Sequence, residues 1–162
     1  MNAAKGDFGD VHARHAAAVY RFALYLCGDA AEAEDIAAET FARAWTSPAP
    51  LRAETVRSYL FTIARNIHAQ RVRSAAKFVA LPDTLEDGSS GARATEARDE
   101  LRVVNAQLEA LSAEDRTALL MRADGNTYEE IAAALGMTPG AVRVRVHRVR
   151  ALLMRARIGG TQ

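Results

Sequence analysis

Apolar residues recur at steps of three and four along most of this chain, and this spacing predicts amphipathic helices. In residues 8–27 the positions in register are Val11, His15, Val19, Phe22 and Leu26. Gly28 and Asp29 interrupt the pattern, because glycine suits a helix C-terminus and aspartate suits the N-cap of the next helix. A second helix is therefore predicted at about residues 30–46.

The prolines in residues 47–50 end the second helix, because proline removes a backbone donor and restricts the residue before it. A third helix is predicted at about residues 55–78, with the buried stripe Val56, Tyr59, Leu60, Ile63 and Ile67. The segment that follows is polar, acidic and rich in turn formers, which is typical of a flexible linker. We place this linker at residues 81–97, between a unit of residues 8–80 and a unit of residues 98–157.

The second unit carries a strong signal at each predicted helix end. A helix is predicted near residues 96–110. The next three helices are predicted to start at the capping residues Ser112, Thr127 and Thr138, and the first two of them to end at Gly125 and Gly136. Glu130 lies at the capping-box position of the helix at 128–135, and Pro139 is the first residue of the last helix. A short helix, a tight turn and a second helix form a helix-turn-helix.

Composition favours helix. Together with the linker, it predicts an all-α fold of two small helical domains joined by a flexible linker. Hydrophobic residues make up 49% of the 162 residues, enough for packed cores, and alanine dominates among them. The single cysteine, Cys27, excludes an internal disulfide, and the sequence has neither a signal-peptide pattern nor a membrane-spanning apolar run. We therefore expect a cytoplasmic protein in which Cys27 is a small apolar residue rather than a redox sensor.

Charge is segregated along the chain, although the net charge is only +1. Residues 29–51 hold five acids and one Arg, and residues 82–100 hold six acids and two Arg. Residues 52–81 hold six basic residues and one acid, and residues 138–162 hold six Arg and no acid. Blocks of opposite sign indicate several charged partner surfaces rather than one uniformly basic protein.

The last helix combines an apolar stripe with a basic face. Its core spacing includes Val142, Val146, Val149 and Leu153, and its other face carries Arg143, Arg145, His147, Arg148 and Arg150. The second helix of a helix-turn-helix enters the DNA major groove, where Arg forms bidentate hydrogen bonds with guanine. Thr127 and Tyr128 are placed to hold a phosphate at the preceding helix N-terminus, with a plain cap and a packed Tyr as the equal alternative. Nucleic acid is the first partner to consider, and a solvated basic face is the alternative.

No catalytic constellation is recognisable in the sequence. The four histidines are scattered without the spacing of metal ligands, and no glycine-rich loop is suited to cradle phosphates. We therefore expect a protein that is not an enzyme and that needs neither a metal nor a cofactor.

Three segments resemble bacterial sigma factors of the extracytoplasmic-function (ECF) group. Ala33-Glu34-Asp35-Ile36-Ala37-Ala38-Glu39-Thr40-Phe41-Ala42-Arg43-Ala44-Trp45 and residues 59–67 are similar to region two. The chain from Leu111 through Tyr128-Glu129-Glu130-Ile131-Ala132 and Gly140-Ala141-Val142-Arg143 is similar to region four. The linker leaves no room for a region three domain. The resemblance covers about residues 10–157 and implies a subunit that binds core RNA polymerase and directs promoter recognition and opening.

The resemblance also implies residue roles. In the family an acidic-aromatic helix docks on the beta-prime clamp helices of the polymerase, and the beta flap is a further contact. The corresponding polymerase-binding residues are Asp35, Ala38, Glu39 and Phe41, with core packing as the alternative for Phe41 and Trp45. The minus-thirty-five element is assigned to Thr127, Tyr128, Arg143, Val144, Arg145, His147 and Arg148. The minus-ten element is assigned to Pro50, Leu51, Arg52, Ala53, Glu54, Arg65, Asn66, Arg71 and Arg73. Asn66 offers both a donor and an acceptor to an unstacked base.

Four residues depart from the family pattern, so the promoter sequence that this chain recognises cannot be predicted. Ala38 stands where Gln is common, Tyr59 where Trp is common, Gln70 where Asp is common and Ala141 where Thr is common. The family also makes an anti-sigma factor an expected partner. Two other functions remain open, a stand-alone helix-turn-helix regulator and an adaptor whose basic helices bind acidic proteins. The acidic linker is either a nucleic-acid mimic near the polymerase active-site channel or a passive tether.

Overall fold

The structure is a computed structural model that describes residues 3–49, 51–78 and 96–159. Pro50 lies outside these ranges, as does the predicted linker apart from its last two residues. Within the described ranges the chain forms seven α-helices and no strand, so the all-α prediction is confirmed. The helices are α1 (Ala3–Cys27), α2 (Ala30–Thr46), α3 (Val56–Phe78), α4 (Glu96–Glu109), α5 (Ala113–Ala123), α6 (Tyr128–Leu135) and α7 (Pro139–Gly159).

Helices α1, α2 and α3 pack around one aromatic centre. The rings of Phe22 on α1 and Phe61 on α3 are stacked, with centroids 4.5 Å apart. Both rings are buried, as are Ile36 on α2 and the predicted stripe residue Leu60 on α3. Burial of this much aromatic and aliphatic surface is the main force that holds the three helices together.

Trp45 departs from the core packing that was the alternative to a polymerase contact for this residue. Its side chain is 45% exposed, and its ring meets Phe8 edge-on with centroids 4.6 Å apart. Trp45 lies in the last turn of α2, where α1 covers only one side of the ring. The expectation that Trp45 packs in the core is therefore wrong.

The predicted helix caps are present in the structure. The Asp29 carboxylate accepts a hydrogen bond from the Glu32 N–H at the start of α2, and the Ser112 hydroxyl accepts one from the Asp115 N–H at the start of α5. Thr127 and Glu130 form a complete capping box at the start of α6. These contacts pair backbone donors that a helix N-terminus leaves unsatisfied, which stabilises each helix by about 1 kcal/mol.

Gly136 shapes the turn of the helix-turn-helix. It ends α6 with φ at +64°, in the left-handed region that residues with a Cβ adopt at a cost of about 1–2 kcal/mol. We expect Gly136→Ala to lower the free energy of unfolding by about 1–2 kcal/mol, measured by urea denaturation. Gly140, on α7, has open space around its Cα, so Gly140→Ala is the matched control and is expected to raise stability by up to about 1 kcal/mol. Equal effects of the two changes would contradict this explanation of the turn.

The two units pack against each other along α1 and α5 and along α3 and α6. Their buried residues form one continuous cluster that runs from α1, α2 and α3 into α5, α6 and α7. Arg57 on α3 forms an ion pair with Asp124, the C-cap of α5. This contact could not be predicted, because hydrophobic periodicity predicts the faces of single helices and not which faces meet.

Two histidines near this packing are held in their neutral form. Burial lowers the pKa of His68, and the charges of Arg116 and Arg71 lower it further. The Nδ1 atom of His68 is buried and has no hydrogen-bond partner. Burial also lowers the pKa of His15, helped by Arg57 and Arg14 and opposed by Asp124. Protonation of either ring therefore disfavours the folded state.

We expect the thermal midpoint of unfolding to be lower at pH 5.5 than at pH 7.5. A histidine with a lowered folded pKa contributes stability that is complete above its unfolded pKa of about 6.5 and is lost as the pH falls toward the folded value. His68→Gln is expected to reduce this fall, measured by calorimetry at both pH values. His147→Gln is the control, because His147 is exposed on α7. If His68→Gln leaves the pH dependence unchanged, His68 is not the titrating group.

Candidate nucleic-acid interface

Helix α7 presents a basic face opposite its buried stripe. Val142, Val146 and Val149 are buried, as their core spacing predicts, and α7 packs against α5 and α6, whereas the fourth predicted residue, Leu153, is only half-buried. The opposite side of the helix is exposed and carries Arg143, Val144, His147, Arg148 and Arg150. Val144 is 65% exposed and lies between these cationic side chains. An apolar residue among cations suits contact with a thymine methyl in the major groove.

Asp115 on α5 contacts two of the predicted DNA-binding arginines. Its carboxylate accepts a hydrogen bond from Arg145 Nη1 at 2.7 Å and contacts Arg148 Nη2 at 3.3 Å through both oxygens. Burial by itself would raise the pKa of Asp115, but hydrogen bonds from Arg145 and Ser112 and the charge of both arginines hold this pKa below its usual range. Arg145 therefore turns toward α5, whereas Arg148 remains 55% exposed.

Tyr128, at the start of α6, is flanked by two guanidinium groups. The guanidinium carbon of Arg122 lies 4.4 Å from the centre of the Tyr128 ring, and that of Arg143 lies 5.0 Å from it. These distances are within the range of cation–π attraction. Arg122 also donates a hydrogen bond to the Asn126 carbonyl. Sequence reasoning missed Arg122, although its position just before the Gly125 turn places it beside the α6 N-terminus.

Thr127 is committed to its own helix. Its hydroxyl oxygen accepts from the Glu130 N–H, and its N–H donates to the Glu130 carboxylate. The alternative of a plain helix cap is thus confirmed for Thr127. Its hydroxyl hydrogen and the Tyr128 hydroxyl remain as donors for a phosphate at this end of α6.

The residues assigned to the minus-ten element lie on α3 and on the loop before it. Arg52, Ala53 and Glu54 are exposed, Leu51 is half-buried, and Pro50 lies outside the described residues. An open concavity adjoins this loop and is lined by Ala49, Leu51, Arg52, Thr55 and Tyr59. On α3, Asn66 and Arg73 are exposed, and Arg65 donates a hydrogen bond to the Asn66 side-chain oxygen at 3.2 Å.

Glu39 connects the acidic helix α2 to Arg71 on α3. Its carboxylate pairs with Arg43 at 2.5 Å and with Arg71 at 3.1 Å. Burial opposes ionisation of Glu39, but hydrogen bonds from Arg71 and Arg43 and their charges lower its pKa. Two residues with different predicted partners, the polymerase and the minus-ten element, are thus in direct contact.

The other predicted polymerase contacts differ in accessibility. Asp35 and Ala38, one turn apart on α2, are both exposed. Phe41 is buried, and its ring lies 4.6 Å from that of His12. The exposed carboxylate of Asp35 is available to a basic partner, whereas Phe41 supports the helix from within.

The described residues offer little to chemistry other than binding. They contain no group of three or more His, Cys, Asp or Glu side chains placed to hold a metal ion. In the same ranges, every helix is too short or too polar to cross a membrane. The Cys27 thiol is half-buried, and burial raises its pKa, so the reactive thiolate is disfavoured. The functional groups that these residues expose are mainly charged hydrogen-bond donors on helix faces.

Comparison with known families matches both halves of the chain. Residues 11–78 match the model of Sigma-70 region 2, and residues 101–153 match that of Sigma-70, region 4. The chain is 40% identical over 147 residues to the ECF RNA polymerase sigma factor SigL of Mycobacterium tuberculosis, with 85% of this chain and 82% of SigL covered. It is 32% identical to SigE of Mycolicibacterium smegmatis, with 91% and 60% covered.

Solved structures agree with this assignment. CnrH, in its complex with the cytosolic domain of CnrY, is similar with a TM-score of 0.72 and 27% identity over 98% of this chain and 91% of CnrH. The sigma factor RpoE of Bartonella quintana, in its complex with the anti-sigma factor NepR, is similar with a TM-score of 0.69 and 26% identity over 92% and 95% of the two chains. Both halves match in order along the chain, so this protein belongs to the ECF group of RNA polymerase sigma factors, which bind the core enzyme and direct transcription initiation at promoters.

Proposed function

We propose that the two units of this sigma factor, residues 8–80 and 98–157, have separate tasks on the promoter. The second unit recognises the minus-thirty-five element by placing α7 in the major groove. The observation that carries this proposal is the exposed face of Arg143, Val144, His147 and Arg148 on a helix anchored by its valines. Arg122, Thr127 and Tyr128 bind the adjacent phosphates, because a helix N-terminus and two guanidinium groups meet there.

The first unit recognises and opens the minus-ten element. Strand opening requires a place for an unstacked base, and the concavity beside residues 51–54 is adjacent to the loop assigned to this task. Asn66 supplies a donor and an acceptor on an exposed face, and Arg65 orients it by a hydrogen bond. Arg71 and Arg73 hold the single strand through its phosphates.

Helix α2 provides the contact with the polymerase. The exposed carboxylate of Asp35 suits the basic residues of the beta-prime clamp helices, with Ala38 and Glu39 in the next turn of α2. Phe41 keeps this helix in place from the core. The second unit contacts the beta flap. The polymerase supplies all the catalysis, so this chain acts in the cytoplasm as a binding subunit and not as an enzyme. An anti-sigma factor is a further partner, since the similar sigma factor RpoE was solved with one.

Transcription in vitro tests the proposal directly. Purified chain and core polymerase are incubated with a genomic promoter library, and the RNA 5′ ends are sequenced. We expect defined start sites that share upstream and downstream elements and that need the chain. Failure of the chain to co-purify with core polymerase at low salt, together with binding of duplex DNA by itself, would favour the stand-alone regulator instead.

A further inference from the structure

We propose that Asp115 is a positioning residue for promoter reading: its carboxylate fixes Arg148 for a base contact and holds Arg145 away from DNA. The inference rests on the proposed function of α7. Asp115 belongs to α5, the helix that supports the helix-turn-helix from behind. The helix-turn-helix pattern in the sequence therefore gives it no DNA-reading role.

The geometry makes Asp115 a rigid anchor. Its side chain is only 15% exposed, and its own N–H is fixed by the Ser112 hydroxyl at the α5 N-cap. Arg145 donates the shorter hydrogen bond at 2.7 Å and is 30% exposed, so it is a structural partner of the carboxylate. Arg148 contacts both oxygens through one nitrogen, Nη2, at 3.3 Å and is 55% exposed.

These contacts give the two arginines different roles, a base contact for Arg148 and a structural contact for Arg145. A guanidinium group carries five N–H donors, and Arg148 uses only Nη2 on Asp115, which leaves donors for a base edge. A long side chain that is already held loses less conformational freedom on binding than one that is free. Arg145 is less accessible to a groove, because its side chain is only 30% exposed and its Nη1 donates the shorter hydrogen bond to Asp115.

The carboxylate has two opposite effects on DNA binding. It repels phosphates, which weakens binding to every DNA sequence. It also orders Arg148, which strengthens binding to the correct base pair. Removal of the Asp115 charge should therefore raise or preserve affinity for non-promoter DNA while it lowers discrimination between correct and altered promoters. A purely structural role would instead lower both.

The test uses holoenzyme assembled from full-length chain and core polymerase. Affinity is measured on the promoter selected in vitro, on the same promoter with single base-pair changes in its upstream element, and on non-promoter DNA. The variants are Asp115→Asn, Glu114→Gln, Arg145→Gln and Arg148→Ala, with the double variant Asp115→Asn/Arg148→Ala. Glu114→Gln removes an equal charge one residue away that has no ion pair with α7.

We expect Asp115→Asn to lower the discrimination ratio about threefold to tenfold at one base pair of the element, and Glu114→Gln to leave the ratio unchanged. In the Arg148→Ala background, Asp115→Asn should have no further effect on that ratio, because both changes act through the same contact. Arg145→Gln should lower the thermal midpoint but keep discrimination, since Asp115 still holds Arg148.

Three results would overturn the proposal: an unchanged ratio in Asp115→Asn, an undiminished effect of that change without Arg148, or an equal loss of discrimination in Arg145→Gln. If Asp115→Asn is too unstable to form holoenzyme, the test uses Arg145→Gln and Asp115→Glu instead. The proposal requires both variants to retain discrimination, and a loss in either one overturns it. A wild-type holoenzyme that selects no promoter would contradict the proposed function itself, which is a different outcome from any of these.

Discussion

Phe61→Ala is expected to lower the free energy of unfolding by about 3–5 kcal/mol, because it removes a fully buried ring and leaves a cavity. The ring is stacked on Phe22, so the change also removes an aromatic pair between α1 and α3. Domains of ordinary size are stable by about 5–15 kcal/mol, and this loss is a large part of that. Urea denaturation followed by circular dichroism measures the effect.

Val72→Ala is the control for Phe61→Ala. Val72 lies on the same helix but is exposed, so its truncation should change stability by less than about 0.5 kcal/mol. If Phe61→Ala costs no more than Val72→Ala, the stacked rings do not form the centre of the first unit.

Arg148→Ala is expected to weaken promoter binding by the holoenzyme about 5-fold to 150-fold, which corresponds to about 1–3 kcal/mol for loss of a bidentate base contact. Association with core polymerase should persist, because α2 and its acidic surface are unaffected. Binding is measured on a promoter duplex at fixed salt, and core association is measured by co-purification.

Arg150→Ala is the matched control for Arg148→Ala. Arg150 is exposed on the same helix, but it lies two residues further from the α7 N-terminus and has no ion pair with Asp115. Its loss should lower affinity less and should not alter base preference. An equal loss of promoter binding and core association in Arg148→Ala would contradict the division of tasks between the two units.

Most helix ends could be predicted because local chemistry determines them. Asp29, Thr127, Gly136 and Thr138 each act within a few residues of their own position, and the structure has each contact. The start of α1 was the largest error, at residue 8 rather than Ala3. The apolar register begins only near Phe8, and the preceding residues extend the helix without adding to that register.

Most of the missed contacts of the candidate site join residues that are distant in sequence, although Arg122 lies only six positions before Tyr128. Asp115 meets Arg145 and Arg148 across 30 and 33 positions, and Glu39 meets Arg71 across 32. Periodicity predicts that each side chain lies on an exposed or a buried face, but not which charges lie opposite each other after packing. For this reason Arg145 and Arg148 looked equivalent in the sequence, although the structure gives them different environments.

The packing of α1 and α3 against α5 and α6 limits what this form of the chain can span. Under the proposed function the two units bind at positions minus thirty-five and minus ten, about 25 base pairs or about 85 Å apart along B-form DNA. A compact chain of this length has a radius of gyration of only about 15 Å. On this proposal both elements are out of simultaneous reach until the two units separate, and the 17 residues between α3 and α4, 79–95, could span at most about 60 Å. Separation also breaks the Arg57–Asp124 ion pair. Engagement of the polymerase must therefore supply enough binding free energy to replace a hydrophobic interface within the subunit itself.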